Sequence, residues 1–175
     1  DKHNAIPREA FSTILVSPEA VSDAQIIVSK RSDAISKEFG SIENNLKVNF
    51  SGLDDSPDKT LTKDSQTKII GLLRTLPHGV LKYSHDVEGL VETSNNLASI
   101  KMGGGKINVH CSTRSSIAEA LEAQRERIEI MANAYGANVE QDEPYPGWAP
   151  NMNSPILETT TKIYTELLGK EPHIC

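Results

Sequence analysis

Cysteine is nearly absent from this 175-residue sequence: Cys111 and Cys175 stand far apart, which rules out a disulfide framework as the organising principle. Aromatic residues make up only 5 % and there is a single Trp, Trp148, so any core is aliphatic. No apolar run approaches the roughly 20 residues of a membrane span, and the first residues, Asp1 to Asn4, do not resemble a signal peptide. Runs of Lys or Arg are also missing, and the net charge is −6. A chain without a basic stripe has nothing to follow a phosphate backbone. The expectation is a cytoplasmic protein with neither nucleic acid nor membrane as partner. The five histidines include no pair at the i, i+4 spacing of a zincin-type metal motif. The sequence opens without Met and stops just after a helical pattern, as a piece cut from a longer protein would.

What is present is enough hydrophobic residue, 37 %, for a real core. Ala10 to Val16 is a β-branched apolar run and predicts a strand. Ser17 before Pro18 predicts a helix start, and Val21, Ala24, Val28, Ile35 and Phe39 recur at helical spacing up to Gly40. Leu46, Val48 and Phe50 alternate with polar residues as a second strand. An exposed loop follows over 54–63, then a short helix from about Asp64 with Ile69, Leu72, Leu73 and Leu76 on one side. It ends before Pro77, with His78 and Gly79 in the turn. Residues 91–112 read as a hairpin turning at Gly103 to Gly105. Ser116 and Glu119 suggest a capping box for a long helix closed by Gly136. Ala137 to Gln141 predicts an edge strand, and Ser154 with Pro155 starts a last helix. The pattern implies an α+β fold: a mostly antiparallel sheet with helices on one face, ferredoxin-like.

Few residues carry chemistry. His85 and Asp86 are neighbours in an extended segment and point apart. Cys111 is in phase with Ile107 and Val109, which makes it a packed thiol rather than a nucleophile. Gly103 to Gly105 lacks the helix N-terminus of a phosphate loop, so a hairpin turn is the better reading. Arg114 differs. Counting by two from Lys106 through Asn108, His110 and Ser112 puts it on the polar side at the strand's end. Its guanidinium suits bidentate capture of a substrate carboxylate; a surface salt bridge is the plain alternative. Tyr145 to Asn151, Tyr-Pro-Gly-Trp-Ala-Pro-Asn, is a proline-stiffened joint around Trp148.

Four segments in order carry a resemblance: Asn4-Ala-Ile-Pro-Arg-Glu-Ala-Phe11, Val91-Glu-Thr-Ser-Asn95, His110-Cys-Ser-Thr-Arg-Ser115, and Tyr145-Pro-Gly-Trp-Ala-Pro-Asn-Met-Asn-Ser-Pro155. Together they resemble the aminoacyl-histidine dipeptidase group (peptidase D, cytosolic non-specific dipeptidase) of the dizinc peptidase family that includes carnosinase and tripeptidase T. The resemblance implies the lid and dimerisation domain over 1–143, lacking its upstream part. Residues 144–175 would be the return joint and first helix toward the catalytic domain. The parent would be a metallodipeptidase hydrolysing Xaa-His and other dipeptides with two zinc ions, and the resemblance implies a homodimer through the lid. The family's His-x-Asp metal motif has no counterpart in this chain, which implies no metal ligand, no catalytic residue and an inactive fragment. By their motifs, Arg114 would bind the substrate carboxylate and Asn4 would contact substrate. Trp148 would pack at the junction with the catalytic domain. The competing expectation is a stand-alone ferredoxin-like binding or assembly module.

Overall fold

Two helices lie on one face of a three-stranded antiparallel sheet in the computed structural model, which describes residues 3–55 and 57–174. This is the α+β arrangement expected. The chain forms two compact units, Asp1–Glu9 with Lys63–Cys175, and Ala10–Thr62.

In the first unit, α2 (Lys63–Thr75) leads through Pro77 into β1 (Gly79–Tyr83), β2 (Val91–Gly103) and β3 (Lys106–Ser115), then α3 (Ala118–Ala134) and α4 (Pro155–Leu168). The strand order is β1-β2-β3. Gly103 pairs with Lys106, so the hairpin loop is Gly104-Gly105, both at positive φ (58° and 74°). That backbone matches strand twist in a two-residue turn and costs a side-chain-bearing residue dearly. One irregularity interrupts the ladder: Leu97 faces Cys111 and Ser99 faces His110, leaving Ala98 as an extra residue, a β-bulge.

The core gathers Leu72, Leu76 and Ala132, with Leu97, Val109, Cys111, Ile128, Met131 and Tyr135 against them. Period-2 alternation on β3 and the 3.6 period on α3 thus meet on one side of the sheet. Helices α2 and α3 approach closely at Gly71, where an added Cβ would collide with the Tyr135 ring. Only glycine admits the ring there. Asn95 is the most deeply buried side chain at 2 % exposure. Its Nδ2 donates to Pro77 O (2.7 Å), and its Oδ1 accepts from Thr113 Oγ1 (2.8 Å). His78 Nδ1 accepts from Leu97 N (3.0 Å). These bonds moor the turn after α2 to the central strand.

Several local expectations change. Gly79, read as part of a turn, opens a strand that the sequence reading did not assign: Gly79–Tyr83 pairs with β2 through two register shifts. Ala137 to Gln141 forms no ladder, although Ala137 and Val139 pack against the core and Asn138 and Glu140 face out. The alternation was real, but no strand pairs with it among the described residues. The capping box is absent: α3 is capped at Ile117 without a side-chain bond, and Ser115 Oγ accepts from Ile117 N at 3.1 Å instead.

The second unit holds a 3₁₀ turn (Pro18–Ala20) continuing into α1 (Val21–Phe39), with Ser17 before the turn as its cap residue. The strands expected at Ala10 to Val16 and Leu46 to Phe50 form no ladder among the described residues, and no described side chain of this unit is fully buried. The expected buried face of α1 is only half-covered at Ala24 and Val28, while Ile35 and Phe39 are 37 % and 42 % exposed. A single helix with extended chain around it supplies no second layer to close a core.

Candidate functional site

The sheet face turned away from α2 and α3 collects the polar residues of the hairpin. Leu97, Val109 and Cys111 point to the core, so by alternation Ser94 and Asn96 of β2 and His110, Ser112 and Arg114 of β3 share the opposite face. Ser94 pairs with Arg114 and Asn96 with Ser112, which makes Asn96 and Arg114 diagonal neighbours about 7–8 Å apart in a regular ladder.

Arg114 is exposed, and its guanidinium makes no hydrogen bond or ion pair with any described residue. The nearest carboxylate along the strand is already committed. Glu92, 7 % exposed and two residues before Ser94, binds Lys82 Nζ at 2.8 Å through Oε1, which also accepts from Thr93 Oγ1 at 3.3 Å. Glu92 O accepts from Ser116 N (3.0 Å), closing the strand end beside Arg114. An exposed guanidinium without such a partner keeps the donors that a carboxylate would take.

Asn4 reaches the same face by a different route. Asn96 Nδ2 donates to His3 O (3.0 Å) and Ala5 O (2.8 Å), so the turn containing Asn4 is held at both flanking carbonyls. The His3 ring lies edge-on to that of His110, with centroids 6.0 Å apart. The two residues singled out from the sequence, 110 positions apart, therefore lie on one face of one sheet. Asn4 itself is exposed.

The Tyr145 to Asn151 segment runs against the end of this hairpin. A Cβ at Gly147 would lie 2.6 Å from Ser115 O and 3.4 Å from Ser116 Cα, so the backbone of Tyr-Pro-Gly-Trp is seated directly on the residues that follow Arg114. Tyr145 and Trp148 project outward, 75 % and 82 % exposed. Beyond them, α4 exposes Ile156, Ile163 and Leu167.

Other candidates stay apart from this face. Cys111 is half-buried on the core side; burial pushes its thiol pKa up, against a smaller opposite pull from the neighbouring Asn95 amide. Such a thiol is not primed for attack. His85 and Asp86 sit in a turn whose Asp86 and Val87 N–H groups donate to Ser84 Oγ at 3.1 and 3.2 Å. Among the described residues no three His, Cys, Asp or Glu side chains gather in a way that would hold a metal ion, so zinc does not fit the residues of this face. No helix there is long and apolar enough to cross a membrane. Sequence reasoning missed Asn96 and the Glu92–Lys82 pair. Asn96 had one usable signal, its even phase with Ser94 on β2.

The fold is an α+β segment, a hairpin with two helices on one face, and by comparison it is similar to part of the aminoacyl-histidine dipeptidases. The chain is 32 % identical over 171 residues to the cytosol non-specific dipeptidase of Escherichia coli (strain K12), a match covering 98 % of this chain and 35 % of that protein. Its fold superposes on the crystal structure of aminoacylhistidine dipeptidase from Vibrio alginolyticus with a TM-score of 0.83 and 28 % identity, over 90 % of this chain and 32 % of that one. The chain thus spans about a third of the length of these dipeptidases. No family model matches it.

Proposed function

We propose that this chain is the lid and dimerisation segment of a cytoplasmic metallodipeptidase that hydrolyses Xaa-His and other dipeptides. The observation that carries the reading is the match, over 98 % of the chain in sequence and 90 % in fold, to about a third of known dipeptidases. Residues 1–143 form the lid and 144–175 the return joint. The two zinc ions and the catalytic groups belong to the remaining two-thirds of the parent, and no step of the hydrolysis is carried by residues of this chain.

What this chain supplies is binding. Arg114 takes the dipeptide carboxylate in a bidentate pair, and Asn4 donates or accepts from its exposed turn on the same face. Closing such a face over a reaction centre excludes water and fixes the substrate's orientation. Trp148 and the apolar side of α4 are exposed surfaces suited to the junction with the catalytic domain. A second copy of the chain is the dimer partner.

The locus gives the first test: an open reading frame extending on both sides, with a His-x-Asp motif upstream, is expected. Natural termini at residues 1 and 175 would favour a stand-alone binding module and end the proposal. The purified 175-residue chain should show no dipeptidase activity with added zinc, manganese or cobalt. In the full-length enzyme, Arg114→Ala should cost about 2 to 5 kcal/mol in kcat/KM if the pair is desolvated. Efficiency within a factor of about two of wild type would remove Arg114 from the site.

A further inference from the structure

The geometry points to Asn96 as a positioning residue: its side-chain amide clasps the His3–Ala5 turn to the sheet and so sets Asn4 on the face that carries Arg114. The inference rests on the reading of Arg114 and Asn4 as substrate contacts and extends it to a residue outside both motifs' roles.

Three observations meet at this amide. Both Nδ2 hydrogens are spent on backbone carbonyls, His3 O at 3.0 Å and Ala5 O at 2.8 Å, on either side of Asn4. The acceptor end, Oδ1, is buried and has no hydrogen-bond partner among the described residues, so the amide's two donated bonds are what orient it. Asn96 also stands opposite Ser112, one diagonal step from Arg114 on the face they share. A carbonyl-to-carbonyl clasp of this kind needs two donors on one planar group, directed apart. Only the amide of Asn or Gln offers that without charge, and Gln is one methylene longer. Asp has no donor, and its charge would repel both carbonyl oxygens.

The clasp therefore acts through the backbone of residues 3–5. It makes no contact with substrate of its own in this scheme. Arg114 is fixed by the ladder whether or not Asn96 is present, since Ser94 and Thr93 pair with Arg114 and Ser115 independently. Loss of the clasp should consequently release Asn4 and leave Arg114 where it is.

The test uses the full-length enzyme and a dipeptide substrate, with Asn96→Ala, Asn4→Ala, their double variant and Arg114→Ala. Asn96→Ala is expected to raise KM about tenfold with kcat within about threefold of wild type, and the double variant to be no worse than the worse single one. Additive effects, or a KM within about twofold of wild type for Asn96→Ala while Arg114→Ala is impaired, would overturn the clasp and leave the substrate reading standing. A normal Arg114→Ala would instead overturn that reading. Should Asn96→Ala fold poorly in the enzyme, amide hydrogen exchange on the 175-residue chain decides. Faster exchange over residues 3–9 with residues 91–115 unchanged supports the clasp, and unchanged exchange over 3–9 refutes it.

Discussion

Asn95→Ala should be among the most damaging single substitutions in the sheet. The side chain is 2 % exposed and holds two unlike groups, the Pro77 carbonyl at 2.7 Å and the Thr113 hydroxyl at 2.8 Å. Alanine removes two bonds of roughly 1 kcal/mol each and strands the Thr113 hydroxyl, a penalty of roughly 1–3 kcal/mol for a group kept from water. Pro77 is half-buried, so its carbonyl can recruit water and adds less. The expected loss is about 2–4 kcal/mol. With a urea slope of about 2 kcal/mol/M for a chain of this size, the far-UV dichroism midpoint should fall by roughly 1–2 M. The asymmetry of buried polar pairs supplies the control. Asn95→Leu combined with Thr113→Val replaces both partners with apolar groups and should cost less than about 1.5 kcal/mol. A midpoint for Asn95→Ala within about 0.3 M of wild type would refute the accounting. A double variant as unstable as Asn95→Ala would do the same.

Two further outcomes follow from packing and titration. Gly71→Ala should destabilise the chain by about 1–3 kcal/mol because its Cβ meets the Tyr135 ring, yet be neutral or gain up to about 1 kcal/mol in a Tyr135→Leu background, where only helix propensity acts; equal effects in both backgrounds would count against the clash. Cys111 is raised by burial, so the folded state holds its proton where the unfolded state has lost it. The thiol's contribution is fully present below the ordinary thiol range, near 8.5, and is lost as pH rises beyond it. In a Cys175→Ser chain, alkylation of Cys111 at pH about 8.5 should be slow until urea unfolds the protein, and a rate equal to that of the unfolded chain would remove the buried-thiol account.

The helices were readable because punctuation and period agreed. Gly40, Pro77 and Gly136 end α1, α2 and α3 where the apolar spacing stops, and Pro155 opens α4. The hairpin was readable from its glycine turn. Strands were less so, because alternation reports a chain with two unlike faces and says nothing about whether a neighbour supplies ladder bonds. Ala137 to Gln141 alternates in burial without pairing, whereas Gly79–Tyr83, almost wholly exposed, is a strand because β2 lies beside it. Pairing is a long-range property. The same limit hid the site's assembly: nothing local in Asn4 announces that its flanking carbonyls meet an amide more than ninety residues away.

Consecutive asparagines on β2 join these two levels. Asn95 turns into the core and ties the strand to Pro77 and Thr113; Asn96 turns out and holds His3 and Ala5. A slip of one residue would exchange them, placing the clasp in the core and the core anchor on the face that carries Arg114. Register on this strand therefore decides fold and face together. It is pinned at one end by the Gly104-Gly105 turn and reset in the middle by the extra residue at Ala98. Counting by two from the turn works along β3, which is unbroken, and it reaches Arg114 correctly. On β2 the same count passes through the bulge and arrives one residue out of phase, on Asn95 instead of Asn96. That single inserted residue is why the cation could be placed from sequence and its neighbour on β2 could not.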